Sequence, residues 1–191
     1  MATLNPVEAE ECLRNMVYVV DNREQPTKAL ERRLAYLEPY ERGTVNSGDY
    51  TAKTLLPNGE WFYLPVVVER KMSATEIAGN FCHERERFIA EFNRARDAGT
   101  KLYILVEQTS WESVYAGAYR SQMKPQSLVA SLLTWSARYN CPIILLDVAQ
   151  RRNERQEDYA MRLATMSGKL IRDILHYEMR EALEGMIDYG D

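Results

Sequence analysis

Four short apolar runs constrain the fold of this chain more than any other feature. They are MVYVV (16–20), PVVVERK with its three valines at 66–68, KLYILVE (101–107) and PIILLD (142–147). Each is too short for a buried helix, and a continuous run implies a strand covered on both faces. Segments with helical spacing lie between them. Ala29, Leu30, Leu34 and Leu37 predict a helix over 28–38. Residues 74–80 predict a short helical turn. Phe88, Phe92 and Ala95 share one face of a helix over 84–98, which Gly99 stops. A short helix is expected in SWESVY, followed by an ordered loop. Pro125 opens a further helix, lined by Leu128, Leu132 and Trp135. A long amphipathic helix, in one or two pieces, runs from about Tyr159 to Leu183. PNG (57–59) marks a hairpin between the second and third strands. Strands alternating with helices predict an α/β fold, a central mixed β-sheet flanked by α-helices.

Composition narrows the function classes. A chain of 191 residues, 46% hydrophobic, suits one domain with its own core. The net charge of −4 is not that of a typical nucleic-acid binder, although a local basic groove can coexist with an acidic remainder. Cys12, Cys82 and Cys141 are far apart and form no CxxC pair. That argues against a thiolate zinc site and for free thiols in a reducing compartment. The N-terminus carries acids and no apolar run, and no segment reaches the ~20 apolar residues that span a bilayer. The expected location is the cytoplasm, with no membrane partner.

The chemistry gathers around VVVERK. Side chains alternate along a strand, so Glu69 and Lys71 share one face and Arg70 takes the other. Asp49, in SGDY, lies one hairpin earlier and can meet Glu69 across the ladder. Two carboxylates suit a hard divalent cation such as Mg²⁺, which keeps positions open for water and phosphate. A lysine beside them can orient water and offset charge growing on phosphate oxygens. The bland alternative is a strand-end salt bridge worth ~0–1 kcal/mol. VDNREQ (20–25) follows the first strand, where α/β sheets open their sites, and would bring Asp21 and Glu24 to the same crevice. Arg23, Arg85, Arg120 and Lys124 are candidate phosphate contacts. For the helix arginines the alternative is a solvated face laced with Glu84, Glu86 and Glu91. Trp111 and Trp135 read as core residues rather than stacking platforms.

Taken in order, VDNRE, SGDY, VVVERK and GNF..ERERF resemble the XPF-type nuclease domain family, within the restriction-endonuclease-like (PD-(D/E)XK) superfamily. Residues 111–147 are similar to the second half of its compact bacterial and phage members. The resemblance covers roughly residues 16–180. It implies a restriction-endonuclease-like fold over a single domain, 1–191, with its core at about 16–150 and a C-terminal helical segment at about 155–187. It also implies a DNA endonuclease that uses Mg²⁺, with Mn²⁺ as a substitute, near flaps, branches or junctions in recombination, repair or phage DNA processing. Asp49 and Glu69 would hold the metal, helped by the backbone carbonyl of Arg70 and by Glu24. Lys71 would be the base or water-orienting group, and Asp21 would support Glu24. Thr75 stands where the family pattern has a further aspartate, and Glu76 is its neighbour and possible substitute. The segment after PIILLD is expected to be too short for the helix-hairpin-helix module of larger relatives, so branch recognition would fall to this domain, its homodimer or another protein. The C-terminal apolar stripe is expected to cover the domain's own sheet, with a dimer interface as the alternative. Two rivals remain at this stage, a non-catalytic scaffold subunit and a sequence-specific restriction-like endonuclease.

Overall fold

The structure, a computed structural model, describes residues 3–188. A mixed sheet lies between two layers of helices. β1 (Val17–Asp21) is flanked by parallel β2 (Tyr40–Gly43) and antiparallel β3 (Tyr50–Leu55). β3 pairs on its other edge first with β4 (Trp61–Tyr63) and then with β5 (Val66–Lys71). Pro65, which has no N–H to give to a ladder, separates those two strands. β6 (Lys101–Glu107) and β7 (Ile143–Leu146) follow in parallel, giving the order β2-β1-β3-β5-β6-β7. This is the mixed, helix-flanked sheet that the apolar runs predict.

Strand alternation divides the interior into two cores. Tyr18, Val20, Val66 and Val68 pack toward α1 (Pro6–Arg14), α2 (Lys28–Leu34) and α7 (Gln156–Glu184). Val19 and Val67 pack the other way, against α3 (Ala74–Cys82), α4 (Arg85–Asp97) and α6 (Pro125–Tyr139). Phe81, Phe88, Phe92 and Trp135 build an aromatic cluster there, with Phe88 stacked on Trp135 at 5.9 Å. Trp135 is buried as expected, while Trp111, in α5 (Trp111–Tyr115), is exposed at the surface instead.

Three elements differ from the sequence expectation. Helix α1 was not foreseen, although Asn5 and Glu8 form a complete capping box and Pro6 occupies the first turn. The helix expected over 28–38 stops at Leu34. Pro39 disfavours helical geometry in the residue before it, so the chain turns while Leu37 still reaches the core. β2 is a polar, largely exposed edge strand and carries no apolar signature.

Candidate active site

A close approach of backbones brings Asp49 to β5. Gly48 before it has φ +87°, and a Cβ there would lie 3.2 Å from Val67 and 3.3 Å from the Val68 carbonyl. Only glycine adopts this conformation at no cost and fits that gap. The Asp49 amide then donates to the Val68 carbonyl (2.9 Å), and the Asp49 carbonyl accepts from the Asp21 amide (2.8 Å). Tyr50 is in register with Val68, so Asp49 stands beside Glu69. The Asp49 carboxylate accepts from the Arg70 amide at 2.8 Å.

Asp49, Glu69 and Lys71 line one pocket of about 200 Å³, walled by α4 through Arg87, Phe88 and Glu91. Lys71 donates its ammonium to Glu69 and lies 3.8 Å from Glu76. Glu76 also accepts from the Met72 amide, which anchors the first turn of α3 to the end of β5. Lys71 is buried despite its charge, which ordinary lysines are not.

The electrostatics of the pocket are unbalanced in one direction. Burial, with Glu69 as a second cause, pushes the Asp49 carboxyl up to about 8, against the pull of the Arg70 amide. Burial raises Glu69 as well, although Lys71 opposes it. Burial pulls Lys71 down, but Glu69, Glu76 and Asp49 outweigh it and hold the ammonium above its ordinary value. Two carboxyls crowded out of water resist ionising together unless a cation joins them. A hard, oxygen-seeking divalent cation supplies that charge and accepts this donor set. Among the described residues, no set of three His, Cys, Asp or Glu side chains is arranged to hold a metal. The remaining ligands would be backbone, water and phosphate oxygens, as is usual for Mg²⁺.

On the opposite face of β5, Arg70 enters a buried ion network. Its guanidinium bonds Glu107 at 2.9 Å and lies 4.0 Å from Glu24. Arg33 reaches Glu24 at 3.4 Å and Glu107 at 3.7 Å. The Tyr50 hydroxyl donates to Glu24 at 2.7 Å. Arg33 can penetrate this far because α2 and α7 cross closely at Gly168, where a Cβ would sit 2.8 Å from the Arg33 carbonyl. The same two segments, Asp49–Tyr50 and Glu69–Lys71, therefore carry the pocket on one face and the network on the other.

The remaining candidates fall in different places. Glu24 belongs to the network and does not line the pocket. Asp21 is buried and accepts from the Arg23 side chain (2.6 Å), the Arg23 amide (2.8 Å) and the Val45 amide (2.8 Å), so it braces the 44–49 loop. Arg23 lines the pocket rim. Arg85 lays its guanidinium over Trp135, 5.4 Å from the ring centre. Arg120 is exposed, and its amide donates to Thr75 Oγ1, so the position without the family's acid holds the 116–124 loop. Lys124 stands at the N-cap position of α6 and makes no side-chain capping hydrogen bond. Asn80, Arg87 and Glu91 also line the pocket; the sequence offers Arg87 as a phosphate contact or part of a solvated helix face, and places Glu91 on that face. The spacing of Phe88 and Glu91, three residues apart, is the signal that Glu91 lies on the pocket side of the helix, while Arg87, one turn before Glu91, stays exposed at the rim.

The fold and this pocket define a restriction-endonuclease-like nuclease domain. The model of the ERCC4 domain matches residues 20–154, and the chain belongs to that family. No curated protein matches it. Among solved structures it is similar to XPF from Aeropyrum pernix, with TM-score 0.55, 16% identity, and coverage of 84% of this chain and 60% of that one. It is also similar to XPF from Aeropyrum pernix in complex with DNA, with TM-score 0.54, 15% identity, and coverage of 92% of this chain and 68% of that one. The chain thus spans well under the full length of either structure, and the likeness is one of fold. Among the described residues, no helix is long and apolar enough to cross a membrane.

Proposed function

We propose that this chain is a divalent-metal-dependent DNA endonuclease, working as a single nuclease domain on flap, branched or junction DNA. The observation that carries this reading is the convergence of Asp49, Glu69 and Lys71 in one buried pocket, with Asp49 fixed by the Arg70 amide. Asp49 and Glu69 would hold Mg²⁺ or Mn²⁺, with the Arg70 carbonyl at the same strand end. When bound, the cation polarises a phosphoryl oxygen and lowers the pKa of a bound water. Glu24 supports this arrangement from behind, through Tyr50 and Arg70, rather than as a ligand in the pocket.

The chain's own residues do the rest. Lys71 is held protonated by Glu69 and Glu76, so it offers N–H donors to phosphate oxygens and to the attacking water. It acts as an orienting and charge-stabilising group, because an ammonium so stabilised gives up its proton reluctantly. Arg87, exposed on the pocket rim, meets the incoming phosphate backbone. Phe88 forms the apolar inner wall of the pocket. Arg120 and Lys124 extend a cationic path along the 116–124 loop. Burial of Glu69 and Lys71, with Asp49 half-buried beside them, favours a catalyst over a scaffold, because ionisable groups crowded together out of water are costly where they do no chemistry.

The test is incubation of the purified protein with labelled flap, fork, four-way junction and linear duplex, in Mg²⁺ or EDTA. The expected result is Mg²⁺-dependent cleavage of branched substrates, abolished in Lys71→Ala and Asp49→Ala. Cleavage that survives either substitution removes this site assignment. A sequence-defined cut in linear duplex favours a restriction-like enzyme.

A further inference from the structure

A second cavity, of about 620 Å³, lies on the same face of the sheet as the catalytic pocket. β3 and β5 carry the one into the other. Asp49 and Glu69 line the pocket, while Thr51 and Val67, two residues away on each strand and on the same side, line the second cavity. Helix α4 is the common outer wall. Arg87 and Glu91 face the pocket, and Arg94 and Ala95, about one turn further on, face the cavity. Arg23, on the pocket rim, donates at 3.1 Å to the carbonyl of Val45, which lines the cavity. The two cavities are therefore consecutive stretches of one groove between α4 and the 44–47 loop.

Beyond Glu91 this groove holds no acid. Asn46, Ser47 and Thr100 line it, and Arg94 is its one charged side chain among the described residues. Arg94 is exposed and forms no ion pair there. In a chain of net charge −4, such a stretch is complementary to an anion.

The far end of the groove is aromatic. Tyr63 lines it, and Trp61 projects from β4 on the same side, with Phe62 between them packed toward the opposite core. Tyr63 is 59% exposed and Trp61 47%. Neither ring is loose. Lys53 holds its ammonium over Trp61 at 4.2 Å and over Tyr63 at 5.5 Å, and Glu41 fixes Lys53 at 2.8 Å. The cation covers one face of each ring and leaves the other open. Fixed, open π-faces beside a cationic groove are the parts that grip single-stranded nucleic acid. Four residues of strand, ~13 Å, separate Asp49 from Lys53, the ladder partner of Tyr63, which is the reach of a few nucleotides.

We propose that this groove takes the single-stranded arm of the DNA whose phosphate lies in the catalytic pocket. Arg94 meets a phosphate of the arm, and Tyr63 and Trp61 stack on its bases. The faces of a base are open only where the strand is unpaired, so the groove selects a flap or branch over intact duplex. This rests on the nuclease reading for the identity of the strand, but its test reads binding rather than cleavage.

Binding is measured by fluorescence anisotropy in EDTA, on labelled flap DNA and on the same duplex without its arm. The flap should bind more tightly. Tyr63→Ala and Trp61→Ala, each checked for an unchanged melting temperature, should weaken flap binding about tenfold, the scale of one stacked base, and leave duplex binding within about twofold. Tyr63→Phe keeps the ring and should keep the affinity. Arg94→Gln should weaken flap binding and lower the slope of log affinity against log salt by about 0.7, one single-strand phosphate contact. Tyr63 and Arg94 are exposed, so their variants decide the test if Trp61→Ala does not fold. Oligothymidine should quench the tryptophan emission of wild type and that of Trp61→Phe far less. Flap binding no tighter than duplex binding, equal losses on both DNAs, unchanged flap binding in Tyr63→Ala and Arg94→Gln, or absence of quenching overturns the proposal. Self-association of wild type that Tyr63→Ala abolishes also overturns it and assigns the rings to a second copy. Flap cleavage with flap binding unchanged in the variants refutes the groove alone. Arm-selective binding without cleavage refutes the nuclease reading alone.

Discussion

Asp49→Asn should make the metal-free protein more stable while removing its activity. The folded protein holds the Asp49 carboxyl at about 8, against an ordinary value of 3.8. Folding therefore takes up a proton between those two pH values. Stability is fully present below the lower one and is lost as pH rises toward the upper one. The displacement is about four pH units at 1.36 kcal/mol each, so the limiting loss is ~5 kcal/mol, and relaxation of the site brings it nearer ~3 kcal/mol. Asparagine is nearly isosteric, keeps an acceptor for the Arg70 amide and has nothing to ionise. Urea denaturation in EDTA at pH 5, 6, 7 and 8 reads the difference between wild type and variant. The variant's lead should be ~1.5 kcal/mol at pH 5 and grow to ~3 kcal/mol at pH 8. Added Mg²⁺ should stabilise wild type at pH 8 and close the gap, because it binds the folded state at the two carboxylates. A gap that stays constant from pH 5 to pH 8 would refute the claim that burial and Glu69 crowd Asp49. A gap indifferent to Mg²⁺ would refute the metal assignment.

Other perturbations test separate parts of the argument. Lys71→Met should lower single-turnover cleavage ~100-fold or more while flap binding in EDTA stays within about twofold, since it removes a transition-state donor. Glu107→Gln leaves Arg70 and Arg33 short of a buried charge and should cost ~3–5 kcal/mol in urea denaturation. Gly168→Ala drives a Cβ against the Arg33 backbone and should cost ~1–3 kcal/mol, read from the same measurement, with the helical circular dichroism retained.

Much of the site was legible in the sequence because its rule is local. Three valines demand a covered strand, and strand alternation alone sends Glu69 and Lys71 one way and Arg70 the other. Gly48 and Asp49 sit one hairpin away, and the structure does bring Asp49 against Glu69. Glu24 and Glu91 show where local rules end. Glu24 follows the first strand at the mouth of the sheet, so chain order put it in the same crevice. Its carboxylate instead meets Tyr50 and Arg33, because α2 packs on the opposite face of the sheet. Glu91 looked like one acid of a charged helix surface, yet α4 packs with Phe88 inward and turns Glu91 to the pocket.

The sequence by itself determined the apolar strands, most of the helices and which face of β5 each side chain takes, but not the polar edge strand β2. These follow from hydrophobic runs, caps and the two-residue repeat of a strand, all set within a few bonds. It determined α1 too, through the Asn5–Glu8 capping box, although the apolar pattern there is weak. Only the tertiary structure decided which carboxylates share a pocket, that Arg70 belongs to a buried network behind it, and that a groove runs on from the pocket along α4. Those depend on how helices distant in sequence lie on the two faces of one sheet. Burial out of water then turns ordinary acids and bases into a site.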